Sequence, residues 1–182
     1  MIDTQPNADL ALVIAAAAFA AERHRHQRRK DAAASPYINH PLALADILVR
    51  EGGVADAVVI AAALLHDTVE DTETTLEELA ERFGPQVAGI VAEVTDDKDL
   101  PKAERKAQQV AKAAGKSLGA KLVKLADKTA NLRDLANSPP HDWPEQRRRD
   151  YVRWSAEVVH GLRGSNPALE AAFDAEFAAA TA

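Results

Sequence analysis

The segment Leu64-Leu65-His66-Asp67-Thr68-Val69-Glu70-Asp71 delivers an imidazole and three carboxylates within six residues at the end of an apolar run. His66 and Glu70 lie four residues apart, as do Asp67 and Asp71, so at helical spacing these pairs line adjacent stripes of one surface. Carboxylates crowded in this way resist ionisation unless a proton or a cation neutralises them, and a divalent metal does so economically. The bland alternative is a helix cap and a solvated turn, because Asp-Thr and Glu-Asp are ordinary turn residues. Two separated residues extend the set: His40, at an Asn-His-Pro junction between loop and helix, and Asp127, in Lys121-Leu122-Val123-Lys124-Leu125-Ala126-Asp127. Taken singly, each is more often a cap or a surface residue. Together, two imidazoles and two carboxylates make a mixed N/O donor set suited to Mn²⁺, Fe²⁺ or Zn²⁺, with positions left for water and a phosphate oxygen. Asp127, Asn131 and Asp134 share a helix face by their spacing.

A basic cluster accompanies the acidic one: Arg23, Arg25, Arg28, Arg29 and Lys30, then Lys121, Lys124 and Lys128. Most of these suit a solvated helix end, where cations oppose the negative pole of the dipole, and a subset is available to grip phosphate. His24 and His26 lie among these charges and are expected to be exposed. The cluster has no interleaved aromatics for base stacking, and 28 acidic against 22 basic residues give a net charge of −6, so neither nucleic acid nor an anionic membrane is an expected partner. There is no cysteine, which excludes disulfides, thiolate ligands and thiol catalysis and is compatible with a reducing cytoplasm.

These groups need elements to position them. The length of 182 residues suits one domain, 1–182, with a core of about 8–170. Apolar residues make up 47% but aromatics only 4%, with Ala prominent, which favours close-packed helices over a sheet. The apolar stretch Leu10 to Ala21 imitates a signal-peptide core. The residues before it hold Asp3 and Asp9 and no Lys or Arg, so it reads as a buried first helix. That helix starts at a cap on Asn7 or Asp9 and runs to about Arg29. A second opens at His40-Pro41 and stops at Gly52-Gly53, and a third spans Asp56 to Leu65. Thr75-Leu76-Glu77-Glu78 is a capping-box pattern for a short helix ending at Gly84, and Pro85 starts the next. Helices near 101–114 and 119–137 follow, then one from about Pro144 to Leu162, and Asn166-Pro167 opens the last. The expectation is a compact all-α bundle of about eight to nine helices with no substantial sheet.

Four separated motifs carry a resemblance: Arg28-Arg29-Lys30-Asp31, Pro36-Tyr37-Ile38-Asn39-His40-Pro41, His66 to Asp71, and Lys124-Leu125-Ala126-Asp127-Lys128. In order and spacing they resemble the HD-type hydrolase domain of the RelA/SpoT family over about Phe19 to Leu169, most of all its short class typified by the metazoan SpoT homologue. The resemblance implies a metal site of His40, His66, Asp67 and Asp127, usually holding Mn²⁺, with Glu70 and Asp71 as the catalytic acidic pair. It implies that Arg29 and Lys30 contact a guanine nucleotide, that Asn131 lies near the ribose, and that Tyr37 supports His40. The implied reaction converts ppGpp or pppGpp to GDP or GTP plus pyrophosphate in the cytoplasm, and the chain ends before a synthetase domain would fit, so it is expected to degrade alarmone without making it. Thr129-Ala130 departs from the bulky pair usual after Ala-Asp-Lys and is expected to reshape the nucleoside pocket. Two alternatives stay open: removal of the 2′ phosphate of NADPH at the same site, and a non-catalytic nucleotide sensor. The native metal and the oligomeric state are not legible.

Overall fold

Asn7 opens the first helix by accepting hydrogen bonds from the amides of Asp9 and Leu10, the arrangement that satisfies a helix's free N–H groups. In the computed structural model, which describes residues 7–181, this helix is α1 (Ala8–Arg23), and nine more α-helical segments follow it. They are α2 (Asn39–Asp46), α3 (Ala57–Leu65), α4 (Thr68–Asp71), α5 (Leu76–Phe83), α6 (Pro85–Val94), α7 (Lys102–Lys112), α8 (Leu118–Asn137), α9 (Glu145–His160) and α10 (Pro167–Thr181). A π-helical turn, Ile47–Glu51, extends α2 to Gly52. Asp56, Thr75 and Asn166 cap α3, α5 and α10 through their side chains. Among the described residues there is no strand, only one isolated bridge between Arg28 and Pro36. Among the described residues no helix is long and apolar enough to cross a membrane, and Asp3 lies outside the described residues.

Two helices are buried nearly all round, and three of the four donor residues lie in one of them or in the turn directly after it. In α3, Val59 through Leu65 are all buried, and the small Ala61, Ala62 and Ala63 let α1 pack closely along it. In α8, burial runs unbroken from Leu122 to Ala130. A helix segment buried on every side lies in a core, so the end of α3 and the middle of α8 are held rigidly by their surroundings. A clamp fixes the far end of α8: Arg133 forks onto Glu51 at 2.5 and 2.9 Å and reaches Glu176 of α10 at 2.7 Å.

The first helix ends at Arg23, six residues before the expected Arg29. His24 is the reason: its ring turns inward to stack on Tyr37, with centroids 4.8 Å apart, and is only 2% exposed. The expectation of an exposed His24 is therefore corrected, whereas His26 is exposed. Released from the helix, residues 25–37 form a loop pinned by Arg29 N–H to the Ser35 carbonyl and Tyr37 N–H to the Gln27 carbonyl. A second difference falls on His66 and Asp67, which occupy a turn between α3 and the single-turn α4. The stripes expected from uninterrupted helical spacing are broken there.

Candidate metal centre and nucleotide cleft

His40 enters from the first turn of α2, His66 and Asp67 from the turn after α3, and Asp127 from mid-α8. One donor atom each from His40, His66 and Asp67 lies within 4.8 Å of the others. Asp127 stands beside this trio, its Oδ1 3.3 Å from His40 Nε2, and the two imidazole rings are 5.3 Å apart.

The electrostatics of the trio call for a cation. His66 Nδ1 lies 2.8 Å from the Ala63 carbonyl, which places the proton on Nδ1 and leaves Nε2 as the lone pair. That Nε2 is buried without a hydrogen-bond partner, 2.9 Å from Asp67 Oδ2. Two acceptors at that distance repel unless a proton or a metal ion lies between them. Burial disfavours a charged His66, yet the Asp67 carboxylate raises its pKa above the ordinary value. Burial equally opposes an ionised Asp67, but the two imidazoles hold it far below the usual carboxylate range. Burial lowers His40, keeping a neutral ring. Burial is likewise overcome at Asp127, where Lys128, 3.1 Å away, lowers the carboxyl well below its ordinary value. Ionised carboxylates and a neutral His40 are protonation states a divalent ion requires, and such an ion would take the place of the proton that Asp67 favours on His66. Divalent metal binding follows from this donor set, and the residues fit such an ion.

Tyr37 packs its ring edge-on against His40 at 6.0 Å and donates its hydroxyl to Asp67. Glu70 sits on α4, where its Oε2 accepts the Asp96 amide at 3.3 Å and Arg105 approaches its Oε1 at 3.8 Å. Burial, reinforced by the charge of Asp67, pushes the Glu70 carboxyl above the usual range. Asp71 is exposed and held by Gln27 at 2.9 Å and Lys98 at 2.7 Å. Asn131 donates to Asp127 Oδ1 at 2.5 Å, and Arg29 pairs with Asp134 over the Tyr37 ring.

Arg29, Lys30, Asp71 and Asn131 all line one cavity of about 290 Å³, together with Trp143 and Tyr151. The latter two also line a neighbouring cavity of about 390 Å³ whose rim carries Lys102, Lys106 and Arg147. Burial and the surrounding cations lower the pKa of both lysines, so the cleft has a positive field inside an acidic protein. Arg147 lies 4.3 Å over Trp143, and Lys106 and Lys128 lie 4.4 and 4.3 Å over Trp154. Lys102, Lys106 and Arg147, with Trp143, Tyr151 and Trp154, escaped the sequence reading. A signal existed: both Trp and one of the two Tyr fall within residues 143–154, beside Arg147, in a chain poor in aromatics. Thr129 and Ala130 are buried in α8 and line neither cavity.

Residues 16–158 match the HD domain family. The chain is 57% identical over 171 residues to guanosine-3′,5′-bis(diphosphate) 3′-pyrophosphohydrolase MESH1 of Xenopus tropicalis, covering 94% of this chain and 96% of that one. It is 57% identical over 164 residues to the Homo sapiens protein of the same name, covering 90% and 92%. A solved structure described as a metazoan orthologue of SpoT that hydrolyses ppGpp and plays a role in starvation responses has a TM-score of 0.90 and 46% identity, covering 97% of each chain.

Proposed function

The chain belongs to the HD domain family, and from that premise we propose that it is a (p)ppGpp 3′-pyrophosphohydrolase, releasing pyrophosphate and GDP or GTP in the cytoplasm. One observation supports this reading above the others: Tyr37 and Asn131 line the cationic cavity and also hydrogen-bond Asp67 and Asp127, so donor cluster and nucleotide cavity share a wall.

In this reading His40, His66, Asp67 and Asp127 hold Mn²⁺, with Zn²⁺ or Fe²⁺ as the other candidates. The ion, when bound, supplies Lewis acidity that draws negative charge from a phosphate and acidifies water. Everything else falls to the chain. Arg29 and Lys30 offset the charge of the bound nucleotide, Asn131 faces its ribose, and Trp143 and Tyr151 give the base a flat apolar wall. Glu70, its carboxyl raised by burial, takes a proton from the water that attacks the 3′ phosphorus. Asp71, fixed between Gln27 and Lys98, orients that water. Phosphoryl transfer rests mainly on such positioning and charge compensation.

The test is to treat the full-length protein with a chelator, restore Mn²⁺, Zn²⁺ or Fe²⁺ separately, and follow ppGpp loss, with NADPH in parallel. Restoration by Mn²⁺ is expected. Phosphate release from NADPH with ppGpp untouched would transfer the assignment to the 2′-phosphatase reading, and silence on both would favour a nucleotide sensor.

A further inference from the structure

A cavity of about 430 Å³ opens between α6, α7 and α8, on the other side of Asp96, Arg105 and Gln109 from the cationic cleft. Lys124 lines it. The residue is only 7% exposed, and among the described residues its side chain enters no hydrogen bond or ion pair. A cation held among buried neighbours without a protein partner attracts an anion from the accessible side. None of the carboxylates that line the cavity pairs with Lys124: Glu93 Oε2 accepts the Ser117 amide at 2.8 Å, Asp96 accepts Gln109 at 2.6 Å, and Asp97 accepts the Asp99 amide at 3.0 Å. Two further polar atoms on the wall are buried without partners, Arg105 Nε and Gln109 Oε1. Lys116 adds a second half-buried cation.

We propose that this cavity is a binding site for an inorganic oxyanion, phosphate or pyrophosphate, with Lys124 as its central cation. Lys116 and the Arg105 guanidinium, which line the same cavity, add positive charge around the anion. The volume admits either anion. Arg105 also stands 3.8 Å from Glu70, so an occupant that engages Arg105 competes with Glu70 for it and slows turnover. Pyrophosphate as the natural occupant rests on the proposed hydrolase activity; the site itself does not.

Isothermal titration calorimetry of the full-length protein with inorganic phosphate, and separately with pyrophosphate, tests this. Saturable binding is expected that Lys124→Met weakens by about tenfold or more and Lys116→Ala by less, as loss of charge-assisted hydrogen bonds requires. Asp67→Asn, which disables the donor cluster, is expected to keep that binding while losing ppGpp turnover, so failure of the site and failure of the hydrolase reading are told apart. A preference for pyrophosphate over phosphate identifies the product as occupant, and the reverse identifies free phosphate. Binding that survives Lys124→Met but vanishes in Asp67→Asn would place the anion on the donor cluster and overturn the proposal, as would no saturable heat from either anion in the unaltered protein. Thermal melts of each variant distinguish lost binding from lost folding.

Discussion

Tyr37 holds Asp67 by a single hydroxyl, and Asp67 is the carboxylate that faces the bare Nε2 of His66. Tyr37→Phe keeps the ring stacked between His24 and His40 but removes that donor. Groups that orient metal ligands ordinarily contribute about 10–100-fold in metal affinity, so the variant should need more Mn²⁺ for half-maximal activity and recover at saturating metal. Equal Mn²⁺ requirements in variant and parent would remove the orienting role. Glu70 supplies a second test. Its folded carboxyl titrates above the ordinary range, and only its deprotonated form accepts a proton from water, so kcat/KM should rise with pH through that raised value. Glu70→Gln should abolish this acid limb as well as most of the rate; an unchanged limb would assign it to another group. At this scale the sequence was most informative. His40, His66, Asp67 and Asp127 were legible as residue types that bind metal, and the structure brings the first three within mutual reach with Asp127 against His40. Spacing alone misjudged His24, because its neighbours in the chain are charged while its neighbours in space are Tyr37 and Gln27.

Among the elements, α8 reaches from the donor cluster to the Arg133 clamp, and stability there should be pH-dependent. Hydrogen bonding to Arg133 holds the Glu51 carboxyl below its ordinary value. A carboxyl depressed by folding stabilises above its unfolded pKa, and that contribution is lost as pH falls through the folded value. Urea unfolding at neutral pH should therefore show Arg133→Ala less stable by about 1–2 kcal/mol, allowing for solvent screening of a partly exposed pair, and the difference should shrink below about pH 4. A pH-independent difference would point to lost packing alone. Gly161 is a second control point. A Cβ there would meet Ala113 Cβ at 2.7 Å and the Ala114 backbone nitrogen at 3.1 Å, so Gly161→Ala should force α9 away from the end of α7 at a cost of about 1–3 kcal/mol. Helix starts at Asn7, Asp56, Thr75, Pro85 and Asn166 were readable because a cap is local chemistry. The end of α1 and the break after Leu65 were not, since tertiary contacts of His24 and of the donor cluster decide them.

The whole molecule combines a net charge of −6 with a cleft edged by Arg29, Lys30, Lys102, Lys106 and Arg147. A highly charged nucleotide is thus drawn to one face and repelled elsewhere. KM for ppGpp should rise several-fold as the Debye length shrinks from about 30 Å to about 8 Å, with kcat nearly constant. An all-helical arrangement followed from composition and periodicity, but the convergence of α7 and α9 into an aromatic and cationic wall required long-range folding that no local pattern encodes. The most direct test of the central claim is to identify the products of ppGpp turnover with Mn²⁺ by anion-exchange chromatography and phosphorus NMR. Equal amounts of GDP and intact pyrophosphate are expected, from cleavage between the 3′ oxygen and its phosphorus. Orthophosphate without pyrophosphate, or a guanosine product that keeps its 3′ diphosphate, would contradict the account.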